Sequence, residues 1–308
     1  MINTFKRAGE DTWHITSRSR LQASGRFYSK KSFRHLFMEA YTGRTLEENE
    51  LEACIQEEGK NVPGPAPGES AVFMSFLVQH TEHRIVQLFQ ENHVWGILKG
   101  VVGEDGCIQM DDCPTHDGPW LWKTPMLFSS DNLSFWIHQQ LSTAPWTVQG
   151  FVLKSEGKRW RFPSASYAAV KSLRGNTPYS LERFVTLYQQ NLTQTYLQYY
   201  REDTTVFAFH QESMMRLVEW IHLQYVHLHV RKTCALSNID KMFHPHLYAL
   251  HGHYLNHLRE SKQKLLLSHV HQYLREQPWQ RVAFLLRRME DEYLDMVRDL
   301  NVPIVERQ

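Results

Sequence analysis

Hydrophobic and polar positions follow two different periods along the chain. From Ser180 onward, apolar residues recur at spacings of three and four: Leu181, Phe184, Val185 and Tyr188; then Met214, Leu217, Val218, Ile221 and Tyr225; then Leu247, Leu250, Tyr254 and Leu258. The same spacing returns in Leu265, Val270 and Leu274 and, after Pro278, in Val282, Leu285, Leu286 and Met289. That period is the one-sided stripe of packed helices, so the pattern predicts an all-helical C-terminal domain. Before it, apolar runs of strand length occupy residues 71–78, 94–102 and 148–153, and Trp13-His14-Ile15-Thr16 is a shorter candidate strand. Phe33, Leu36, Phe37 and Tyr41 predict one early helix, and Asn61-Val62-Pro63-Gly64-Pro65-Ala66-Pro67-Gly68 predicts a loop. Residues 148–153, the turn Glu156-Gly157-Lys158 and the basic-aromatic Arg159-Trp160-Arg161-Phe162 predict a hairpin. The period changes at Leu173-Arg174-Gly175-Asn176-Thr177-Pro178, which places a boundary between a domain of residues 1–176 and one of residues 177–308.

The 308 residues, 42% of them hydrophobic, suffice for two packed cores and exclude a disordered chain. No apolar run reaches the roughly 18 residues of a membrane span, and Met1-Ile2-Asn3-Thr4-Phe5-Lys6-Arg7 lacks an apolar signal core. The expectation is an intracellular protein, not secreted and not held in a membrane, with nucleus and cytoplasm both open. Cys54, Cys107, Cys113 and Cys234 form no C-x-x-C pair, which argues against a disulfide scaffold or structural zinc.

Local charge is less even than the 34 Lys and Arg against 33 Asp and Glu suggest. Residues 1–34 carry eight bases and two acids, residues 39–69 carry eight acids and two bases, and residues 154–183 carry seven bases and two acids. Charge alone is compatible with solvated faces of alternating sign, or with two basic segments converging on a phosphate-bearing partner. Eleven of the eighteen histidines lie between His210 and His271, including His253 and His257 one helical turn apart. A His-rich bundle yields such a pair by chance, and without three or four convergent ligands no metal site is assigned.

No Gly-x-Ser-x-Gly elbow, dinucleotide Gly-x-Gly-x-x-Gly or kinase signature is present, and Gly68 is followed by Glu69-Ser70 instead of the Lys-Ser/Thr of a phosphate-binding loop. What remains is an ordered series. It runs Ser17-Arg18-Ser19-Arg20-Leu21, then Phe76-Leu77-Val78-Gln79-His80-Thr81-Glu82-His83-Arg84-Ile85-Val86. Val148-Gln149-Gly150-Phe151-Val152-Leu153-Lys154 follows, and then Trp160-Arg161-Phe162-Pro163-Ser164-Ala165-Ser166-Tyr167.

This series resembles the T4-type RNA ligase 1 family, ATP-dependent nucleotidyltransferases with homologues in large DNA viruses. In that family a Lys-x-Asp-Gly nucleophile motif precedes a Ser/Thr-Lys/Arg-Gly-Ser segment, a strand ending Asn-Arg-Ile-Val, a Glu-Gly-Phe/Tyr-Val strand and a Lys-x-Lys strand followed by Ser and Tyr. The later stretches Leu173-Arg174-Gly175-Asn176, Tyr199-Tyr200 and Leu247-Tyr248-x-x-His251 also look like the helical tail of viral relatives. The resemblance implies an α+β fold, an incomplete nucleotidyltransferase-like antiparallel β core followed by an all-α domain. It also implies phosphate or nucleotide contacts from Arg18, Arg84, Lys154, Arg161 and Tyr167. Lys-x-Asp-Gly is absent, Lys6 stands too late to replace its lysine, and the family's two glutamates fall on Leu77 and Gln149. The basic pair becomes Arg161 and Pro163.

Leucine cannot ligate Mg²⁺ and glutamine brings no charge to it. The expectation is therefore an RNA-ligase-like protein with no catalytic residues and no autonomous ligase activity. ATP and Mg²⁺ would be its cofactors only if family activity survived, and RNA or DNA ends are its expected ligands. Two alternatives stand beside it. One is a fragment of an active ligase completed by an upstream segment; the other is a helical scaffold that binds a protein partner.

Overall fold

The structure, a computed structural model, describes residues 1–27, 29–111, 126–155 and 158–299, the last ten of these by their backbone alone. Cys113 and the turn residues Glu156 and Gly157 lie outside the described residues. The fold is mixed α+β. Its internal contacts divide it into residues 1–172 and residues 173–308.

The first unit is built on a five-stranded, wholly antiparallel sheet ordered β2-β1-β3-β4-β5. Its strands are β1 (Ile2–Arg7), β2 (His14–Ser17), β3 (Glu69–Gln79), β4 (His93–Gly103) and β5 (Ile108–Asp111). Between β2 and β3 the chain forms α1 (Phe33–Thr42) and α2 (Leu51–Asn61). Side chains alternate across a strand, so Met74, Phe76 and Val78 of β3 face one side, with Ile2 of β1, Ile15 of β2 and Val94 of β4 in the same core. On that side α1 supplies Phe37 and Tyr41, and the rings of Trp13, Phe37, Tyr41 and Phe76 meet at tilted angles 5.3–6.4 Å apart. Ser32 caps α1 by accepting from the His35 N–H at 3.2 Å, and Gly43, in the left-handed region at φ 69°, ends it. Gly59 of α2 lets the helix close on Trp13, because a Cβ there would stand 2.8 Å from the Trp13 Cβ.

The unit continues with α3 (Leu133–Thr143), the two-stranded hairpin β6 (Gly150–Ser155) and β7 (Lys158–Pro163), and α4 (Ala165–Arg174), whose last residues enter the second unit. Gly150 is the residue the hairpin cannot replace. It sits at φ 137° opposite Pro163, and a Cβ there would lie 2.1 Å from the Phe162 carbonyl oxygen.

Among the described residues the second unit is entirely helical. Its helices are α5 (Ser180–Gln189), α6 (Thr193–Tyr199), α7 (Thr204–Tyr225), α8 (His244–His253), α9 (Leu267–Glu276) and α10 (Trp279–Asp299). Helix α7 is central and buries Phe207, His210, Met214, Leu217, Val218, Ile221 and Tyr225, the stripe its spacing predicts. A single π-helical turn, Val226–Val230, extends α7, and a second, Tyr254–Leu258, extends α8. Buried Arg183 joins several elements. Its Nε donates to Arg174 O at 3.1 Å, Nη2 to Thr177 O at 2.7 Å, and Nη1 to Tyr196 Oη and Asp203 Oδ2, both at 3.3 Å. Beneath it the rings of Tyr196, Tyr200 and Phe207 stack at 4.5 and 4.9 Å.

Candidate nucleic-acid interface

The register of the hairpin sorts its side chains. Lys154 pairs with Arg159 and Val152 with Arg161, while Phe151, Leu153 and Ser155 oppose Phe162, Trp160 and Lys158. Cross-strand partners share a face, so Lys154, Arg159 and Arg161 lie on one side and Lys158, Trp160 and the phenylalanines on the other. The second side is anchored at its base, where the Phe151 ring meets Trp136 of α3 at 5.2 Å. Along β7, Lys158, Arg159, Trp160 and Arg161 are all exposed. The Trp160 ring, 44% exposed, shares its face with Lys158, while Arg159 and Arg161 flank it in sequence on the opposite face.

Lys154 is committed elsewhere: its Nζ donates to Ile97 O at 2.9 Å. Ile97 is the unpaired residue of a bulge, since Phe76 pairs with Gly96 and Ser75 with Leu98. The ammonium therefore satisfies a carbonyl at the irregular step and ties the hairpin to β4.

The other family-like positions are dispersed. Arg18 is exposed just past β2. Arg84 is 9% exposed in the connection from β3 to β4, with Nε donating to Val86 O at 2.9 Å, so its guanidinium is largely withdrawn from solvent. Tyr167 is half-buried in the first turn of α4, and burial raises its hydroxyl pKa. Gln149 and Pro163 are exposed at the base of the hairpin, where the Ser164 N–H donates to Gln149 O at 3.0 Å. Leu77 is 47% exposed on β3, paired with Trp95, on the face of the sheet opposite the core. The structure thus groups Lys154 with Arg161, and Gln149, Pro163 and Tyr167 near the hairpin base.

A polar centre not evident in the sequence explains where the first basic segment spends its charge. Glu39 on α1 is 2% exposed and accepts from Lys31 Nζ at 2.9 and 3.0 Å, the Leu46 N–H at 2.8 Å and His80 Nε2 at 3.0 Å. Burial alone would raise the carboxyl pKa, but the Leu46 N–H and Lys31 outweigh it and hold the group below its ordinary value. His80 Nδ1 accepts from the Glu82 N–H at 3.1 Å, which leaves the proton on Nε2 for Glu39, and burial lowers the ring's pKa and keeps it neutral. Lys31 also reaches Glu82 at 2.7 Å, and Arg34 pairs with Glu52 at 2.6 Å. Lys6, buried in β1, donates to Gly59 O at 3.1 Å and Val62 O at 3.3 Å, placing its cation at the carboxyl end of α2. Three cations of residues 1–34 thus serve residues 39–82 of the same chain. The sequence shows only the signal of adjacent basic and acidic blocks, without the pairing.

Among the described residues no three His, Cys, Asp or Glu side chains are placed to hold a metal ion, and no described helix is long and apolar enough to cross a membrane. The helical-domain histidines make ring contacts, His229 with His251 at 4.0 Å and His253 with His257 at 5.0 Å. Cys54 is a buried thiol, Cys107 an exposed one and Cys234 a half-buried one. No protein-family model matches the chain, and no curated protein matches it.

Proposed function

We propose that this chain is a ligase-like protein built on a nucleotidyltransferase core, without ligase activity of its own, that holds single-stranded RNA or DNA on the β6–β7 hairpin. The observation that carries the reading is the exposed run Lys158, Arg159, Trp160 and Arg161 on β7. Cations neutralise phosphates and release their counterions, and an exposed indole offers a stacking surface for any base. Support for the core comes from the order of its parts: an antiparallel sheet carrying Leu77, then a strand opened by Gln149-Gly150, then a basic strand closed by Pro163 and followed by Ser164 and Tyr167. Gly150 fits this reading, since the family's Glu-Gly-Phe-Val strand keeps a glycine where this hairpin admits no Cβ.

Leucine at 77 and glutamine at 149 leave those two positions without the carboxylates that would hold Mg²⁺. Two assays test the reading together. Fluorescence anisotropy with labelled 12-nucleotide RNA and DNA is expected to show saturable binding that weakens as salt rises. Intact mass after incubation with ATP and Mg²⁺ is expected to stay unchanged. An adduct of one AMP would overturn the inactive-ligase part, and absence of binding at low salt would overturn the rest.

A further inference from the structure

The helical unit contains a second site, unrelated to the hairpin: an open groove of about 600 Å³. One wall is a single face of α9, because Ser268, His271, Gln272 and Arg275 recur at the i, i+3, i+4, i+7 spacing. The opposite wall is the end of α5 and the start of α6. There Asn191, at φ 58°, closes α5 in a left-handed cap, with the Leu192 N–H on Leu187 O at 2.8 Å and its own N–H on Tyr188 O at 3.2 Å. This turn brings Tyr188, Asn191, Thr193 and Gln194 to the groove, and Gln211 of α7 completes it. Gln189 fixes the walls to each other by donating from Nε2 to Gln277 O at 2.6 Å.

The polar groups here are arranged for an anion. The Arg275 guanidinium lies 5.1 Å from the centre of the Tyr188 ring, and its buried Nε has no hydrogen-bond partner. The guanidinium also engages the Tyr188 side chain, and as the one fixed cation of the groove lining it is complemented best by an oxyanion. The Tyr188 hydroxyl and His271 Nδ1 share a hydrogen bond at 2.5 Å, and burial, then the charge of Arg275, lower the His271 pKa. His271 also lines the groove. None of the nine lining residues is a carboxylate. Glu276 stands beside the groove and engages the Gln272 amide at 2.6 Å. The amides of Asn191, Gln194 and Gln211, with the hydroxyls of Thr193 and Ser268, offer donors and acceptors in a neutral surround suited to a hydroxylated ligand.

We infer that this groove binds a small hydroxylated oxyanion, a phosphomonoester or a carboxylate, with its charged end on Arg275 and His271 and its hydroxyls on the amides of α5–α7. Isothermal titration of the full chain with ribose 5-phosphate, gluconate and ribose tests it. The expected result is binding of at least one charged probe, with ribose inert, and the tighter of the two charged probes identifies phosphate or carboxylate as the recognised group. Arg275→Met keeps the stem over Tyr188 and is expected to weaken the charged probe at least about tenfold, the worth of one charge-assisted hydrogen bond. Charge reversal on the hairpin, Lys158→Glu with Arg161→Glu, is expected to leave the titration unchanged, which separates the two sites. Gln211→Leu, on a different helix, is expected to weaken binding by about fivefold and serves if the Arg275 variant does not fold. The inference is overturned if neither charged probe binds up to about 10 mM, if ribose binds equally, or if the folded variants bind like the parent chain.

Discussion

Residues 1–34 and residues 154–183 carry nearly equal excesses of positive charge, six and five, yet the fold uses them for different purposes. In the first, Lys6, Arg7, Lys31 and Arg34 each meet an acceptor of the first unit, namely helix-end carbonyls, Glu10, Glu39 with Glu82, and Glu52, while Arg18, Arg20, Arg26 and Lys30 are exposed at scattered positions. In the second, Lys154, Arg174 and Arg183 are engaged with Ile97 O, Glu202 and Asp203, while Lys158, Arg159 and Arg161 stay exposed on one strand. Exposure of several cations and an indole on one strand makes the second run a candidate recognition surface. The acidic block at 39–69 supplies acceptors to Lys31 and Arg34 of the first run.

The comparison can be broken most forcefully at Glu39. If the first block is structural, Glu39→Ala leaves Lys31 and His80 without their buried acceptor and should cost about 3–5 kcal/mol of stability. Urea denaturation with hydrogen exchange on β3 and α1 measures it, and a loss below about 1 kcal/mol would show that the network is peripheral. Acid acts in the same direction. The folded pKa of Glu39 is depressed, so its contribution is complete above the unfolded value near 4.3 and is lost as pH falls through the lower folded value.

The helical unit meets its acid limit earlier. Burial, then Arg281, push His246 down to about 4, against an unfolded value near 6.5. The His246 contribution is therefore full above pH 6.5 and should be about 2 kcal/mol lower at pH 5, with His210, His229 and His271, lowered by burial in the same unit, adding to the loss. Urea melts of the parent chain and of His246→Asn at pH 7 and 5 check this, the difference being expected to shrink by about 2 kcal/mol in the variant.

Smaller effects sharpen the other half of the comparison. Lys158→Glu with Arg161→Glu should reduce nucleic-acid affinity about tenfold, near 1.4 kcal/mol, while changing stability by no more than about 0.5 kcal/mol. Anisotropy titrations and urea melts of the same preparation report both numbers. Arg18→Gln, exposed at the far end of β2, should shift affinity by less than about twofold in the same titration, because it is not on the hairpin.

Strands whose apolar residues run on without interruption were legible in the sequence. Residues 71–78 and 94–102 became β3 and β4, the basic-aromatic hairpin became β6 and β7, and Phe33–Thr42 became α1. Strand β1 was hidden because its core face is Ile2, Thr4 and Lys6, two polar residues out of three, and the burial of Lys6 depends on carbonyls of α2 more than fifty residues away. Helix α2 was obscured by Gly59, a poor helix former kept for its approach to Trp13. Helix α3 buries only Ile137, so its sequence carries a weak stripe. At the candidate sites, local runs such as Lys158–Pro163 could be read directly. The Glu39 centre and the Arg275 groove could not, since each assembles residues from segments that meet only in the fold.

The most direct test of the hairpin's role is the salt dependence of single-stranded RNA binding, measured by anisotropy from low to moderate salt for the parent chain and the Lys158→Glu, Arg161→Glu variant. If these two cations meet phosphates, the slope of log K against log salt should become shallower by about 1 to 2 in the variant, with weaker binding throughout. Equal slopes and equal affinities in a folded variant would contradict the account and place any nucleic-acid contact elsewhere on the molecule.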